Sequence, residues 1–525
     1  MSAAGIAVAG LAGGIVLAER ERDLAERRFQ QVRQLSNKFF ELDAEIRDVP
    51  GTIRARHSIV SASLEYLERL GAEIEPSRWR TPKHDEIDLA LEIGKAYLDV
   101  ARVQGVPGQA SLSEFAQAKE SLAKADKFIE SVLAFDSYPR RQKALALSAG
   151  IAHDSMILAD TEKREADGNI LAGKAADRLD ALLEMGGPDP KEAPTVTAAY
   201  SNIALFHSNR HQLDEATRYA RKSVEVARRF GTADGLLSAS LGVYSNAARY
   251  SGDLEGALQA IHESRLIAEQ AYQPNDSRRA MILAVALWRE GLVLGEHENI
   301  SLNRPKEAEA LIQKAFDLSD EMANRDADDY TSRSYVSMTG RELGDLLRDG
   351  DPARALEIYD RTRRRLHEIK NNSKARRDEV LLLAGSSYAL RSLRRPSESK
   401  QRIDAALAIL RDLKEYPANR VEPGGEVETV LRSLADHYAD TGETTKATTT
   451  YETLLAQVRA GNVHPETDLR HATSLSRIYS SFARVRREAG DVAQASALDR
   501  QRLDLWHYWD RKLPSNTYVK RQLEF

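Results

Sequence analysis

The sequence contains no cysteine among its 525 residues. This absence excludes disulfide bonds, zinc–thiolate sites and cysteine nucleophiles. A basic excess is also lacking, because 75 lysine and arginine residues face 80 aspartate and glutamate residues and leave a net charge of −5. Proteins that bind nucleic acid neutralise its phosphates with an excess of basic side chains. We therefore expect no nucleic-acid partner.

Motifs that carry catalysis are missing as well. A phosphate-binding loop needs glycines between a strand and a helix, with a lysine close by. The glycines from Gly10 to Gly14 lie in an apolar leader without a lysine. The sequence has no Gly-x-Ser-x-Gly elbow, no His-Glu-x-x-His motif and no protein-kinase motif set. We predict that the chain is not an enzyme, has no catalytic residue and binds no cofactor.

A histidine pair is the one candidate for metal binding. His207 and His211 are four residues apart and could share one face of a helix, as metal ligands often do. Asn209 between them indicates a turn instead, and no third ligand is evident in the sequence. We therefore predict no metal site.

The composition that remains is typical of a folded protein. Hydrophobic residues make up 42% of the chain and charged residues 30%. A chain of this length could form several domains or one elongated array of repeats. From about residue 85 onward, no stretch alternates apolar and polar residues for long enough to indicate a sheet. The order helix, turn, helix recurs instead, which favours the array.

Turns of one form recur along the chain. Each has glycine, asparagine or another polar residue, then an acidic or polar position, then an amphipathic run with a small residue. They lie at residues 209–216, 251–257, 304–308, 349–355, 441–447 and 489–495, with a divergent member at 394–399. Glycine or asparagine can end the first helix at positive φ, and an acidic residue suits the first turn of the second helix. The small residue lets the two helices pack closely.

The spacing of these turns defines the fold class. The small residue recurs every 41 to 51 residues, compared with about 34 in a standard tetratricopeptide unit. We predict an all-α, tetratricopeptide-like helical-hairpin solenoid with seven clear units between residues 195 and 510. Two weaker units are expected near Gly94–Tyr97 and Ala149–Ala152, and the cluster Trp506–Trp509 is expected to cap the last repeat.

A solenoid of this kind has a concave face lined by the first helix of each hairpin, where a peptide or another protein commonly binds. Polar and aromatic residues of these helices are therefore candidates for contact with a protein or peptide ligand. They are Asn202, His207, Tyr244, Asn246, Arg289 and Arg432. The run Arg361–Arg365, by contrast, fans out around its helix and indicates a solvated face.

The N-terminal segment differs from the rest of the chain. Residues 1–18 carry no charged side chain, and Glu19 begins a charged helix. A helix that spans a membrane needs about 20 apolar residues, with a lower limit of about 17. We predict a short apolar helix at 1–18 that is part of a transmembrane helix, a helical juxtamembrane connector at 19–75, and helical repeats with a C-terminal cap at 76–525. The alternative is a disordered apolar N-terminus on a soluble cytoplasmic scaffold.

Two parts of the sequence resemble a known family. The first part comprises Ala25–Leu35, Phe40–Gly51 and Ala62–Leu70, and the second is the tail Leu505–Asn516. Both resemble the C-terminal halves of bacterial membrane-anchored serine/threonine protein kinases. In that family a kinase domain precedes a transmembrane helix and tetratricopeptide repeats. The present chain begins inside the expected membrane helix, so no catalytic residue of the family has a matching position.

The resemblance implies a function and a location. By resemblance, the repeats form the sensor or docking half of a membrane-tethered kinase signalling system and lie outside the cytoplasm. Arg20, Arg22, Arg27 and Arg28 favour the cytoplasmic side instead. We predict a single-pass membrane-associated scaffold that binds a protein or peptide. The alternatives are a fragment of a kinase whose catalytic domain lies upstream and a soluble cytoplasmic scaffold.

Overall fold

The computed structural model describes residues 53–74, 82, 84–107, 111–135, 140–325, 330–369 and 372–524. These residues form helices, turns and loops, and no strand occurs within them. The chain divides into two compact units, residues 1–191 and residues 192–525. The predicted all-α helical-hairpin fold is confirmed. The apolar helix expected at residues 1–18 and most of the expected connector lie outside the described residues.

Within its described residues, from 53 onward, the first unit contains a single helix followed by two helical hairpins. Its helices are α1 (Ile53–Ile74), α2 (His84–Gly105), α3 (Phe115–Leu133), α4 (Arg140–Thr161) and α5 (Glu165–Glu184). The two weaker predicted repeats lie in α2 and α4, the first helices of the two hairpins. Gly94 shows why small residues recur there, because a Cβ atom at this position would lie 2.5 Å from Cδ1 of Ile129 on α3. A larger residue at position 94 would therefore require the Ile129 side chain to move.

In residues 192–325, 330–369 and 372–524, the second unit contains seven helical hairpins and a terminal helix. The hairpins are α6 (Ala193–Ser208) with α7 (Leu213–Arg229), α8 (Asp234–Tyr250) with α9 (Leu254–Ala271), α10 (Ser277–Gly295) with α11 (Pro305–Arg325), α12 (Tyr330–Leu347) with α13 (Pro352–His367), α14 (Ser373–Ser392) with α15 (Pro396–Asp412), α16 (Glu426–Asp440) with α17 (Thr444–Arg459), and α18 (Leu469–Glu488) with α19 (Val492–Lys512). Helix α20 (Thr517–Glu524) follows. Each predicted turn joins the two helices of one hairpin.

The small residue of each predicted turn is buried between its two helices. These residues are at most 1% exposed, and they are Ala216, Ala257, Ala308, Ala355, Ser399, Ala447 and Ala495. A larger side chain at such a position would push the two helices apart. The recurring small residues in the sequence therefore mark the positions where the two helices of each hairpin lie closest together.

Turn chemistry follows the expectation at three hairpins of the second unit and departs from it at others, such as the first. Gly252, Gly442 and Gly490 have φ values of 93°, 78° and 82°. In the first turn, Asn209 has a φ of −68°, and the left-handed residue is His211, with a φ of 60°. Left-handed backbone is unusual for a residue with a side chain. This conformation directs the His211 imidazole toward a later part of the chain.

The first and last hairpins of the second unit contact each other. Nη2 of Arg470 donates to the carbonyl oxygen of Ser208 at 3.0 Å, and Nδ2 of Asn516 donates to the carbonyl oxygen of Gly252 at 2.7 Å. One apolar core joins these parts; its buried members are Leu254, Ile300, Leu469, Ala472, Trp506, Trp509, Tyr518 and Val519. The aromatic cluster predicted as a cap thus packs on early hairpins as well as on the last one.

The prediction of a single-pass membrane protein is wrong. Among the helices of the described ranges, none is both long enough and apolar enough to cross a bilayer. The physical reason is that charged residues recur along these helices, which bury one face and expose the other. The membrane location and the membrane contact were both predicted from residues 1–18. These residues lie outside the described residues.

Candidate functional site

Two adjacent cavities lie along the first helices of four consecutive hairpins in the second unit. The first cavity has a volume of about 170 Å³ and is lined by residues of α12, α14, α16 and α18. The second has a volume of about 370 Å³ and is lined by residues of α16, α18, α19 and α20. Arg432 on α16 and Arg477 on α18 line both. We call the two cavities together the cleft.

A loop between α10 and α11, residues 296–304, enters the cleft and lines both cavities. Ile300 anchors it, because this side chain is 0% exposed within the apolar core that contains Trp506. Nε of the buried Arg249 donates to the carbonyl oxygen of Ile300 at 2.7 Å, and Nη2 of Arg521 donates to that of Ser301 at 2.7 Å. Hydrogen bonds from α8 and from α20 therefore both hold the loop in place.

Glu298 is the acidic side chain that this loop brings to the cleft arginines. Its Oε2 lies 3.1 Å from Nη1 of Arg432 and 3.5 Å from Nη2 of Arg348. Burial raises the pKa of Glu298, but Arg432 and Arg348 lower it by more, so that the pKa lies well below its usual value. Glu298 is consequently ionised at neutral pH.

Aromatic stacking and ion pairs hold the guanidinium groups in place. Arg348 lies over the Tyr388 ring, 4.7 Å from its centroid, and donates from Nη1 to Oδ1 of Asp345 at 3.1 Å. Tyr388 donates its hydroxyl to Oδ2 of Asp436 at 2.8 Å, which fixes the ring. Burial lowers the pKa of Arg432, but Tyr388, Glu298 and other acidic neighbours raise it well above its usual value. These arginines are therefore permanently charged and directed into the cleft.

The second cavity has more positive than negative charge. Arg432, Arg477, Arg502 and Arg521 line it, and its acidic lining residues are Glu296 and Glu298. Within the part of the chain that the structure describes, Arg477, Arg502 and Arg521 have no carboxylate within ion-pair distance. Arg502 instead donates to the carbonyl oxygen of Gln522 at 2.8 Å, and burial lowers the pKa of both Arg502 and Arg521.

The chemistry of this cavity suits an anion. Ser476, Ser480 and Ser481 add hydroxyl groups to its lining. Guanidinium groups keep their proton at any physiological pH and can donate paired hydrogen bonds to a carboxylate or a phosphate. An acidic group that entered the cavity would neutralise charge that the chain itself leaves unbalanced.

The structure places one of the six sequence-predicted site residues in the cleft. Arg432 lines both cavities. Arg289 lies on α10 close to α8, because a Cβ atom at Gly242 would meet its Nη1, and Tyr335 and Tyr250 lie nearby. Arg289 lines neither cavity.

The other four predicted residues lie on the first two hairpins of the second unit. His207 stacks on Tyr219, with 5.4 Å between ring centroids, and its Nδ1 lies 2.5 Å from Oε1 of Gln212. Tyr244 packs against the apolar cores around α8 and α9. Asn202 and Asn246 are half-buried on α6 and α8. The structure does not bring these four side chains together with the cleft arginines.

Sequence reasoning missed the loop at 296–304 and the arginines Arg348 and Arg477. One signal was present, because the interval from Ala257 to Ala308 is 51 residues, the longest of the repeat spacings. The extra residues in that interval form the loop that enters the cleft. The two arginines carried no local signal, since exposed arginines are common on helices.

The fold and the cleft together define a tetratricopeptide-like helical-repeat protein. No protein-family model matches the chain, and no curated protein matches it. Among solved structures, the apo form of the quorum sensor NprR from B. thuringiensis is similar, with 14% identity, coverage of 78% of this chain and 98% of that chain, and a TM-score of 0.47. NprR has also been solved in complex with its cognate peptide NprX.

Two further solved structures are similar over most of the chain. Aspartyl phosphate phosphatase F from Bacillus subtilis shares 11% identity, covers 81% of this chain and 95% of its own length, and has a TM-score of 0.43. A signal-transduction ATPase with a tetratricopeptide repeat sensor from Pyrococcus horikoshii shares 12% identity, with coverage of 89% and 66% and a TM-score of 0.39. These likenesses concern the fold alone.

Proposed function

We propose that this chain is a protein- or peptide-binding repeat scaffold whose cleft binds an acidic segment of its partner. The observation that carries the proposal is the charge of the second cavity. Four arginines line it. Among the residues that the structure describes, the carboxylates within 4 Å of these arginines are those of Glu298 and Glu428, and both pair with Arg432. A buried cationic surface of this kind is stabilised when a partner supplies the missing negative charge.

Glu298 indicates how a ligand carboxylate would be held. It occupies the space between Arg432 and Arg348, and its Oε2 is within hydrogen-bond distance of Arg432. A ligand carboxylate in the second cavity would meet Arg477, Arg502 and Arg521 in the same way. A second ligand carboxylate would compete with Glu298 for Arg432.

The test is a binding titration with a defined probe. A short glutamate-rich peptide with a fluorescent label is titrated with the full chain, and its anisotropy is followed. The same peptide with glutamine at every glutamate position reports the contribution of charge. A third peptide with phosphoserine at those positions shows whether the cavity favours phosphate over carboxylate.

Two variants locate the binding. Arg477→Gln removes a guanidinium that lines both cavities, and Arg500→Gln removes an exposed arginine of α19 that lines neither. We expect Arg477→Gln to weaken binding of the glutamate peptide by about tenfold or more, since one charged hydrogen bond contributes about 1.5–3 kcal/mol. Arg500→Gln is expected to bind as the unchanged chain does. Equal binding of the glutamate and glutamine peptides would contradict the proposal.

We further propose that the partner belongs to a serine/threonine kinase signalling system. This step rests only on the resemblance of the segments between residues 25 and 70 and of residues 505–516 to the C-terminal halves of such kinases. Co-purification of the tagged full chain with a serine/threonine kinase from its own cells, lost in Arg477→Gln and kept in Arg500→Gln, would support it. Co-purification of other proteins without any serine/threonine kinase would contradict it.

A further inference from the structure

Three histidines from distant parts of the second unit meet at one place. His211 belongs to the turn between α6 and α7, His464 precedes α18, and His471 lies in its first turns. The ring centroids of His211 and His471 are 4.2 Å apart, and that of His464 is 5.7 Å from His211. Glu422 joins them from the segment before α16. This cluster is separate from the cleft, whose lining contains none of these four residues.

Three donor atoms in the cluster surround a common point. Oε1 of Glu422 lies 4.0 Å from Nε2 of His211 and 3.9 Å from Nε2 of His471. One ligand atom from each of the three residues lies within 4.8 Å of the other two. These separations are too long for hydrogen bonds. Ligand atoms that lie about 2.0–2.2 Å from one tetrahedral zinc ion are about 3.3–3.6 Å apart, so the side chains would have to move closer by about half an ångström or more to bind one.

His211 has the support that a metal-binding histidine usually has. Its Nδ1 lies 2.6 Å from Oδ2 of Asp468, whose side chain is 0% exposed. Asp468 is held in turn by Arg470, whose Nη2 donates to the same oxygen at 2.6 Å. A carboxylate that accepts the Nδ1 proton fixes the ring tautomer and leaves the Nε2 lone pair free for a metal.

His471 is the buried ligand of the set. Its side chain is 3% exposed. Its Nδ1 accepts the backbone N–H of His464 at 3.0 Å, so that its own proton lies on Nε2. A metal at Nε2 would shift this proton to Nδ1 and break the hydrogen bond from His464.

We propose that His211, Glu422 and His471 bind a divalent metal ion of the zinc type, which joins the first hairpin of the second unit to its last ones. Two imidazoles and one carboxylate are ligands that suit Zn²⁺, and they leave a fourth position for water. The three ligands are 211, 260 and 49 positions apart along the chain in the pairs 211/422, 211/471 and 422/471, so the ion would link segments that only the fold brings together. Its role would be to stabilise the contact between the two ends of the unit.

The test is a titration of the full chain with ZnCl₂ after dialysis against a chelator. Isothermal titration calorimetry gives the stoichiometry and affinity, and a thermal melt with and without Zn²⁺ gives the stabilisation. We expect about one ion per chain and a higher melting temperature with Zn²⁺, because an ion that binds only the folded state stabilises it. Absorption of the Co²⁺-substituted chain reports whether nitrogen and oxygen ligands surround the ion.

Two variants and one control locate the ion. Glu422→Gln changes a side chain that is 59% exposed, so the fold is retained, and His211→Gln removes the ligand supported by Asp468. Each is expected to weaken Zn²⁺ binding by at least about tenfold. His507→Gln changes an exposed histidine on α19 and should bind as the unchanged chain does.

The chain has 12 histidines, so weak binding elsewhere has to be separated from binding at the cluster. Zn²⁺ binding that is equal in the unchanged chain, Glu422→Gln and His211→Gln would overturn the proposal. Absence of stoichiometric binding to the unchanged chain would overturn it as well. Circular dichroism of each variant confirms that a loss of binding comes from the ligand and not from unfolding.

Discussion

Oε2 of Glu298 lies 3.1 Å from Nη1 of Arg432, although the two residues are 134 positions apart. The contact places an acidic residue of the loop 296–304 on an arginine that lines both cavities of the cleft. The loop is anchored by Ile300 in the apolar core. Glu298 is thus an internal competitor for any acidic ligand that reaches Arg432.

Removal of the Glu298 charge should therefore strengthen ligand binding. In Glu298→Gln, Arg432 and Arg348 lose the carboxylate that lies 3.1 and 3.5 Å away. We expect the glutamate-rich peptide to bind several-fold more tightly, because a ligand carboxylate no longer has to replace a bound one. Fluorescence anisotropy measures the change in Kd.

Glu307→Gln is the matched control for that experiment. Glu307 is an exposed residue of α11 that pairs with Arg304 and lines neither cavity. The Glu307→Gln variant should bind the glutamate-rich peptide with the same affinity as the unchanged chain. Weaker binding by Glu298→Gln would show that Glu298 supports the ligand site and does not compete for it.

The turn glycines allow a direct test of the repeat chemistry. A Cβ atom would meet nothing within 4 Å at either Gly442 or Gly350, but Gly442 has a φ of +78° and Gly350 does not have positive φ. Gly442→Ala should lower the free energy of unfolding by about 1–2 kcal/mol, because an L-residue is strained in left-handed backbone. Gly350→Ala should be neutral or slightly stabilising. Equal effects in urea unfolding would contradict this explanation.

A buried ion pair in the first unit predicts a pH dependence of stability. Oδ2 of Asp154 accepts from Nε of Arg102 at 2.7 Å, and the Asp154 side chain is 3% exposed. Burial raises the pKa of Asp154, but hydrogen bonds and charges from His153 and Arg102 lower it by more. A carboxylate with a lowered pKa in the folded state stabilises the fold above its ordinary pKa, and this contribution is lost as the pH falls through the folded-state value.

Asp154→Asn should consequently be destabilised by about 2 kcal/mol at pH 7, and the difference from the unchanged chain should shrink as the medium becomes acidic. Asp126→Asn is the control, because the Asp126 pair with Lys174 is partly exposed and should contribute less than about 1 kcal/mol. Urea unfolding across a pH series measures both. A difference that stays constant from pH 7 to strongly acidic pH would contradict the assignment.

The hairpins could be predicted from the sequence because their signals are local. Glycine at positive φ, an acidic residue such as Asp253 capping the next helix, and a small residue such as Ala257 lie within a few positions of one another. Each feature acts within one turn, so the pattern appears directly in the sequence. Some turns depart from this pattern: in the first, the left-handed residue is His211 and not Asn209, and at 394–399 it is Arg394.

The cleft and the histidine cluster could not be predicted in the same way. Arg348, Arg432 and Arg477 come from three different hairpins, and their convergence depends on the angle at which successive hairpins stack. His211 and His471 meet because the first and last hairpins of the second unit contact each other. A single sequence contains no local pattern that reports this contact, so the metal prediction considered His207 and His211 instead.

Photocrosslinking tests the central claim most directly, because it shows where an acidic peptide binds. The glutamate-rich peptide with a photoreactive residue is bound to the full chain, irradiated and mapped by mass spectrometry. We expect crosslinks on α16, α18, α19, α20 and the loop 296–304, and their loss in Arg477→Gln but not in Arg500→Gln. Crosslinks confined to the hairpins α6–α7 and α8–α9, which line neither cavity, or crosslinks unchanged in Arg477→Gln, would contradict the proposal.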